Sequence, residues 1–212
     1  MADSAGASSS LLTKDRMEGL SDGVLAFAMT LLVADLALRP PGSPSHQFFA
    51  AWPSYAAYVV SFLTIGSGWI AHNALTDSLD QVDRIFLRLN LLFLMAVAFL
   101  PFPTRLVGNA LHQGTGAERV ATVVYGLSLL AIRLLYTALA AYSRARHLRQ
   151  PADEDADMRE SLRKFRAVVI GYVATIVLSL FFPSVAVAVY LAIAFFLFIP
   201  FRAVLAELSR RG

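Results

Sequence analysis

The residues able to do chemistry are few and unusually placed. Ser21 and Asp22 sit at one end of an apolar run, and Asp35 sits near its other end. His72 and Asn90 lie toward the ends of two more such runs, and Arg133 lies close to the middle of a fourth. An ionisable group in an apolar helix is expensive in lipid, so it pairs with another group or faces water. Carboxylates and hydroxyls suit coordination of a monovalent cation. A carboxylate beside an imidazole suits proton holding. Any of these groups also suits hydrogen bonding that locks helices together. Catalysis fits less well. His72, Asp77, Asp80 and Asp83 offer nitrogen and oxygen ligands of the kind divalent metals take. However, the chain has no H-E-x-x-H, P-loop, GxSxG or Rossmann fingerprint. The three acids fall in a short loop, where helix caps and solvated charge are ordinary. No enzyme activity, cofactor or structural metal is expected.

The elements that must position these groups are membrane helices. Of 212 residues, 57% are hydrophobic and 16% are charged. The mean hydropathy is +0.61. A soluble domain is less apolar and more charged. The apolar residues come in blocks of about 20, the length a helix needs to cross a bilayer. The period-2 alternation of a membrane barrel is absent. The fold class is therefore an all-α integral membrane protein with six spans, near 19–38, 48–73, 85–103, 120–142, 165–182 and 184–204. They form one domain, 14–206, between a flexible N-terminal tail, 1–13, and a short C-terminal tail, 207–212. "RPPGSP" ends the first span. "TDSLDQVD" separates the second from the third, and Asp83 or Asp80 suits the cap of the third helix. "FFPSV" is a tight turn between the last two spans, and "FLPFPT" bends or ends the third helix at its prolines. There is no cysteine, which excludes disulfides and thiolate metal sites.

The net charge of +3 does not point to nucleic acid, because the basic residues flank apolar blocks. Lys14, Arg16, Arg84, Arg88, Arg202, Arg210, Arg211 and the basic loop Ser143 to Arg166 fall on one side of the bilayer. Arg39, Arg105 and Arg119 fall on the other. The positive-inside rule then places both termini in the cytoplasm of a multi-pass cell-membrane protein, with a bacterial plasma membrane expected.

On the first helix, Asp22 and Asp35 stand about 20 Å apart at 1.5 Å rise per residue. The hydrocarbon core is about 30 Å thick, so at least one acid needs a partner or water. Helical periodicity puts Leu20, Phe27, Leu31, Ala34 and Leu38 on one face, with Gly23 and Thr30 beside it. Asp22 points about 140° away from Phe27. Such a stripe by itself reads as packing or lipid contact. Ser21 and Asp22 also suit an N-cap. Trp69 suits an interfacial anchor. His72 shares the depth of Asp22, so a contact between them is expected, structural rather than proton-sensing. Arg133 is too deep to snorkel and should pair inward, with Asp22 the better partner by depth.

The stretch "RMEGLSDGVLAFAMTLLVADL", from Arg16 to Leu36, resembles the Arg-x-x-x-Phe-Ser-Asp signature of the transmembrane protein 175 family. That family comprises endosomal and lysosomal potassium channels and their bacterial relatives. Trp69-x-x-His72 is similar to its second-helix pattern, and Asn90 followed by "FLPFPTRLVG" is similar to its third. The similarity covers the first half of the chain; the second half shares the span count. The resemblance implies a six-helix subunit in a homotetramer whose first helix lines a central cation pore. It also implies no re-entrant filter, and the chain has no TVGYG-like segment.

By the same resemblance, the pore constriction falls at Phe27, Leu31 and Ala34, with Thr30 alongside; the Thr30 hydroxyl suits cation coordination, and Asp35 and Leu38 suit the outer mouth. Arg16, Ser21, Asp22, Trp69, His72 and Asn90 form a polar network that keeps the pore helix in register. Three positions depart from the family pattern: Leu20 replaces Phe, Phe27 replaces a branched aliphatic residue, and Ala34 replaces Leu. The expected function is a passive, potassium-preferring cation channel in the lipid bilayer, with itself as partner and K+ in the pore. The alternative is a secondary transporter or cation–proton antiporter that uses Asp22, His72 and Arg133 as an ionisable relay.

Overall fold

In lipid a backbone must satisfy its own hydrogen bonds, and a helix does so within one segment. The structure, a computed structural model, describes residues 3–34, 36, 52–110, 116–146, 148 and 158–199. Its elements are α1 (Asp3–Ala34), α2 (Trp52–Asp77), α3 (Arg84–Phe99), α4 (Pro101–Ala110), α5 (Ala117–Ala145), α6 (Met158–Ser179) and α7 (Pro183–Phe198). Four stretches are long and apolar enough to cross a membrane: Lys14–Ala34, Ser54–Asp77, Arg84–Ala110 and Ala117–Ala145. Phe165–Ser179 and Pro183–Phe198 are shorter apolar helices. The six apolar segments read from the sequence are thus six helical segments here.

Their ends differ from the sequence reading in instructive ways. Helical backbone in α1 reaches back to Asp3, through the stretch expected to be a tail. Extending an existing helix needs no new nucleation. The second helix runs on to Asp77, past the expected end at Asn73. The third span continues beyond its prolines. Pro101 opens α4 after a turn at Leu100, where its missing N–H is no loss. Pro183 likewise opens α7 straight after the turn that ends α6.

Asp83 is the N-cap of α3. Its Oδ1 accepts from the backbone N–H of Ile85 at 3.0 Å and of Phe86 at 2.7 Å. Its Oδ2 accepts from the Tyr142 hydroxyl at 2.6 Å, which ties the start of α3 to the end of α5.

Helix α2 is the hub, packed against α7, α4 and α1, while α5 packs against α3, α4 and α6. Helix α1 lies to one side, on α2, α3 and α4. It buries Met17, Ser21, Leu25, Ala28 and Leu32, a 4-4-3-4 spacing that marks one helix face. At the far side of the bundle, Tyr125 meets Tyr190 edge-on, with ring centroids 5.7 Å apart. Gly126 makes room for that ring. A Cβ there would collide with the Tyr190 hydroxyl and lie 2.8 Å from Ile176 Cγ1.

Two outcomes follow for stability, measured by thermal unfolding in detergent. Gly126→Ala overpacks this contact and should cost about 1–3 kcal/mol; a wild-type melting temperature would show that the contact yields freely. Asp83→Ala removes the cap and should cost about 0.5–2 kcal/mol. Burial pushes the Asp83 carboxyl up. The N–H of Phe86, the Tyr142 hydroxyl, the N–H of Ile85 and the charge of Arg146 outweigh that and hold it below its ordinary value of 3.8. The carboxylate's contribution is therefore complete above about 3.8 and fades as pH falls through the lower folded value. The melting-temperature gap between wild type and Asp83→Ala should narrow in that acid range. A gap independent of pH would exclude the carboxylate charge as its cause.

Candidate functional site

The polar residues of α1 to α3 converge on the buried side of α1. Ser21 Oγ donates to the carbonyl of Met17 at 2.8 Å, the usual way a serine satisfies itself in a helix. Its lone pairs then accept from Asn90 Nδ2 at 2.9 Å. Asn90 Oδ1 lies 2.8 Å from His72 Nε2. With its nitrogen donating to Ser21, the amide oxygen accepts, so His72 carries a proton on Nε2. Ser21, His72 and Asn90 are each 0–1% exposed. The imidazole also stacks on Phe93, with centroids 5.7 Å apart and planes 6° from parallel. One turn along α2, Trp69 Nε1 donates to Asp22 Oδ1 at 2.8 Å. Two adjacent links thus fasten α1: Asp22 to α2, and Ser21 through Asn90 to both α3 and α2.

Of the six residues expected in one polar network, Ser21, Asn90 and His72 form one string and Asp22 and Trp69 a neighbouring pair. Arg16 is exposed and joins none of these bonds. The partners differ from expectation. His72 bonds to Asn90 instead of Asp22, because an amide can donate to one neighbour and accept from the other. Asp22 bonds to the indole of Trp69, which is therefore more than an interfacial anchor. Ser21 and Asp22 are not caps, since α1 begins at Asp3. Arg133 does not pair with Asp22 either. It borders a cavity between α2, α3, α5, α6 and α7. Depth suggested the Arg133–Asp22 pair, but depth is one coordinate, and α1 packs on α2, α3 and α4 while Arg133 belongs to α5. Asp22, His72 and Arg133 consequently form no continuous string.

The opposite face of α1 is open. Phe27 is 64% exposed and Leu31 38%, and Leu20, Gly23, Thr30 and Ala34 are exposed beside them. Thr30 Oγ1 donates to the carbonyl of Phe27 at 2.8 Å, which leaves its oxygen lone pairs facing outward. Asp35 and Leu38 lie outside the described residues. Among the described residues, no group of three or more His, Asp or Glu could hold a metal ion.

A second buried string was not anticipated. Ser61 Oγ lies 2.7 Å from Thr104 Oγ1 and 2.8 Å from the Tyr125 hydroxyl, which itself donates to the carbonyl of Ala57 at 3.1 Å. It joins α2, α4 and α5. Hydroxyl residues inside apolar runs were its only signal in the sequence, a common sign of interhelical bonding.

Six apolar helical segments joined by buried polar strings define a multi-pass α-helical membrane protein. The family described as endosomal/lysosomal potassium channel TMEM175 matches residues 16–101. A potassium channel of Streptomyces collinus is 40% identical over 165 residues, 76% of this chain and 80% of that protein. A potassium channel of a Chryseobacterium species is 31% identical over 192 residues, 89% of this chain and 94% of that protein. The crystal structure of a lysosomal potassium-selective channel TMEM175 homologue from Chamaesiphon minutus matches with a TM-score of 0.72 and 30% identity, covering 87% of this chain and 96% of that one. The chain belongs to the TMEM175 family.

Asn90→Leu strands the buried His72 donor and should cost about 1–3 kcal/mol. Pairing it with His72→Phe removes the stranded group and should recover part of that loss. Melting temperatures of the single and double variants test this. Wild-type stability of Asn90→Leu would remove the string from the helix-locking role.

Proposed function

We propose that this protein is a passive, potassium-preferring cation channel, built from four copies with the open face of α1 turned toward a shared axis. The observation that carries the reading is the two-sidedness of α1. One face is fastened by polar links and buried among α2 to α4. The other presents Phe27, Thr30, Leu31 and Ala34, all exposed among the described residues of the subunit. Its relatives in Streptomyces and Chryseobacterium are named potassium channels, which supports the choice of ion. Four copies would set a ring of phenyl groups beside a ring of leucines. An apolar ring of this kind gates by excluding water. Thr30, its proton already committed to the helix, would offer oxygen lone pairs to a passing cation. Asp35 at the outer mouth would concentrate cations. Both termini would face the cytoplasm. The relay reading is weaker, because Asp22 and His72 bond to different partners and Arg133 borders the cavity between α2, α3, α5, α6 and α7.

Purified protein in liposomes should pass K+ in preference to Na+ down a gradient, without proton coupling. Phe27→Ala should raise the flux, about tenfold for every 1.4 kcal/mol of barrier removed. If wild type and Phe27→Ala both fail to move either ion, the channel reading fails. Thr30→Val separates two origins of selectivity. A changed K+ to Na+ preference assigns it to the hydroxyl, and an unchanged one assigns it to the apolar ring.

A further inference from the structure

Apart from α1 and its open face, the subunit holds a cavity of about 110 Å³. Helices α2, α3, α5, α6 and α7 border it. Thr64, Ser67, Phe93, Arg133, Tyr136 and Tyr172 line it. Gly68 and Ala71 leave the space open. A water needs about 10–15 Å³ by this measure, so there is room for several.

The chemistry of the lining is one-sided. Arg133 Nε is buried and has no hydrogen-bond partner. Thr64 is 7% exposed, and its Oγ1, beside the Tyr172 hydroxyl, makes no hydrogen bond of good geometry. Ser67 gives its proton to the Thr64 carbonyl at 3.1 Å, and Tyr136 gives its proton to the Ala71 carbonyl at 2.9 Å. Among the described residues, no carboxylate lines the cavity. Guanidinium has five donors and no acceptor. Such a site repels cations and asks for an acceptor that carries negative charge. An intramembrane charge without a counterion is costly, which strengthens the demand.

We propose that this cavity binds a monoanion against Arg133, with Thr64 and Tyr172 as hydroxyl donors. Arg133 lies near the middle of α5, deeper than lipid phosphates reach. The ligand is therefore a small single-charge acceptor: a free halide, or the carboxylate of an apolar chain entering from the bilayer. Phe93 lines the cavity and stacks on His72, so an occupied cavity also supports the α2–α3 junction.

The test uses full-length protein in detergent. Crystals soaked in bromide should show an anomalous peak beside Arg133 Nε that Arg133→Met abolishes and Thr64→Val weakens. Chloride should raise the wild-type melting temperature relative to gluconate by about 2–4 °C, and should leave Arg133→Met unmoved. A carboxylate source appears instead as a fatty acid co-purifying with wild type, detected by mass spectrometry, with bromide entering only after delipidation. Both results support the site and distinguish its ligand. Water alone in the wild-type cavity, with no halide effect and no co-purifying carboxylate, overturns the proposal, and that result does not depend on the folding of any variant.

Discussion

One side-chain amide links three helices. Asn90 donates to Ser21 on α1 and accepts from His72 on α2, while its own backbone belongs to α3. Each of these groups is buried. Leaving any of them without a partner forfeits a hydrogen bond that water cannot replace in an apolar interior. The bond directions therefore fix more than proximity. They fix the rotation of α1 about its own axis. Thr30 is nine residues from Ser21, and at 100° per residue it points to the opposite side of the helix. Phe27 and Ala34 flank it. Pinning Ser21 inward thus turns that set outward, and the link from Trp69 to Asp22 holds the same rotation one turn along α2.

The rest of the bundle is a scaffold for that arrangement. Helix α2 carries contacts on both sides, His72 and Trp69 toward α1 and α3, and Ser61 toward α4 and α5. The tyrosines of α5, α6 and α7 fill the far side of the core. Gly126 admits the closest of those rings. The Arg133 cavity lies between the two regions, with Phe93 as its shared wall. A rigid α2 would let a change on one side reach the other only by small steps, since packed cores deform little.

Much of this is legible in the amino-acid sequence. The number of apolar helical segments followed from the lengths of the apolar blocks, four of them long enough to cross a membrane. The composition of the polar set followed from the resemblance of the first three helices to a known family; Ser21, Asn90 and His72 bond in one string, Asp22 and Trp69 in another, and Arg16 in neither. That α1 has two unlike faces followed from the 3.6-residue period, but the period alone read the Phe27–Leu31 stripe as packing or lipid contact, and it is the exposed one. What was not legible was pairing. Depth in the membrane ranked Asp22 as the partner of both His72 and Arg133, yet it partners Trp69. A sequence supplies the height of a side chain along its helix and its angle around it. It does not supply the crossing angle of the neighbouring helix, and that angle decides which groups at equal height touch.

The sequence by itself therefore determined that this chain is an α-helical membrane protein, because only apolar helices of that length satisfy their backbones in lipid. It also determined that α1 has two unlike faces. Only the tertiary structure decided that Asn90 mediates between Ser21 and His72, that a second hydroxyl string joins α2, α4 and α5, and that Arg133 looks into a cavity. Each of these depends on three or more helices arriving at one place at set angles. Local propensity and periodicity carry no information about such a meeting, because they act within one helix at a time.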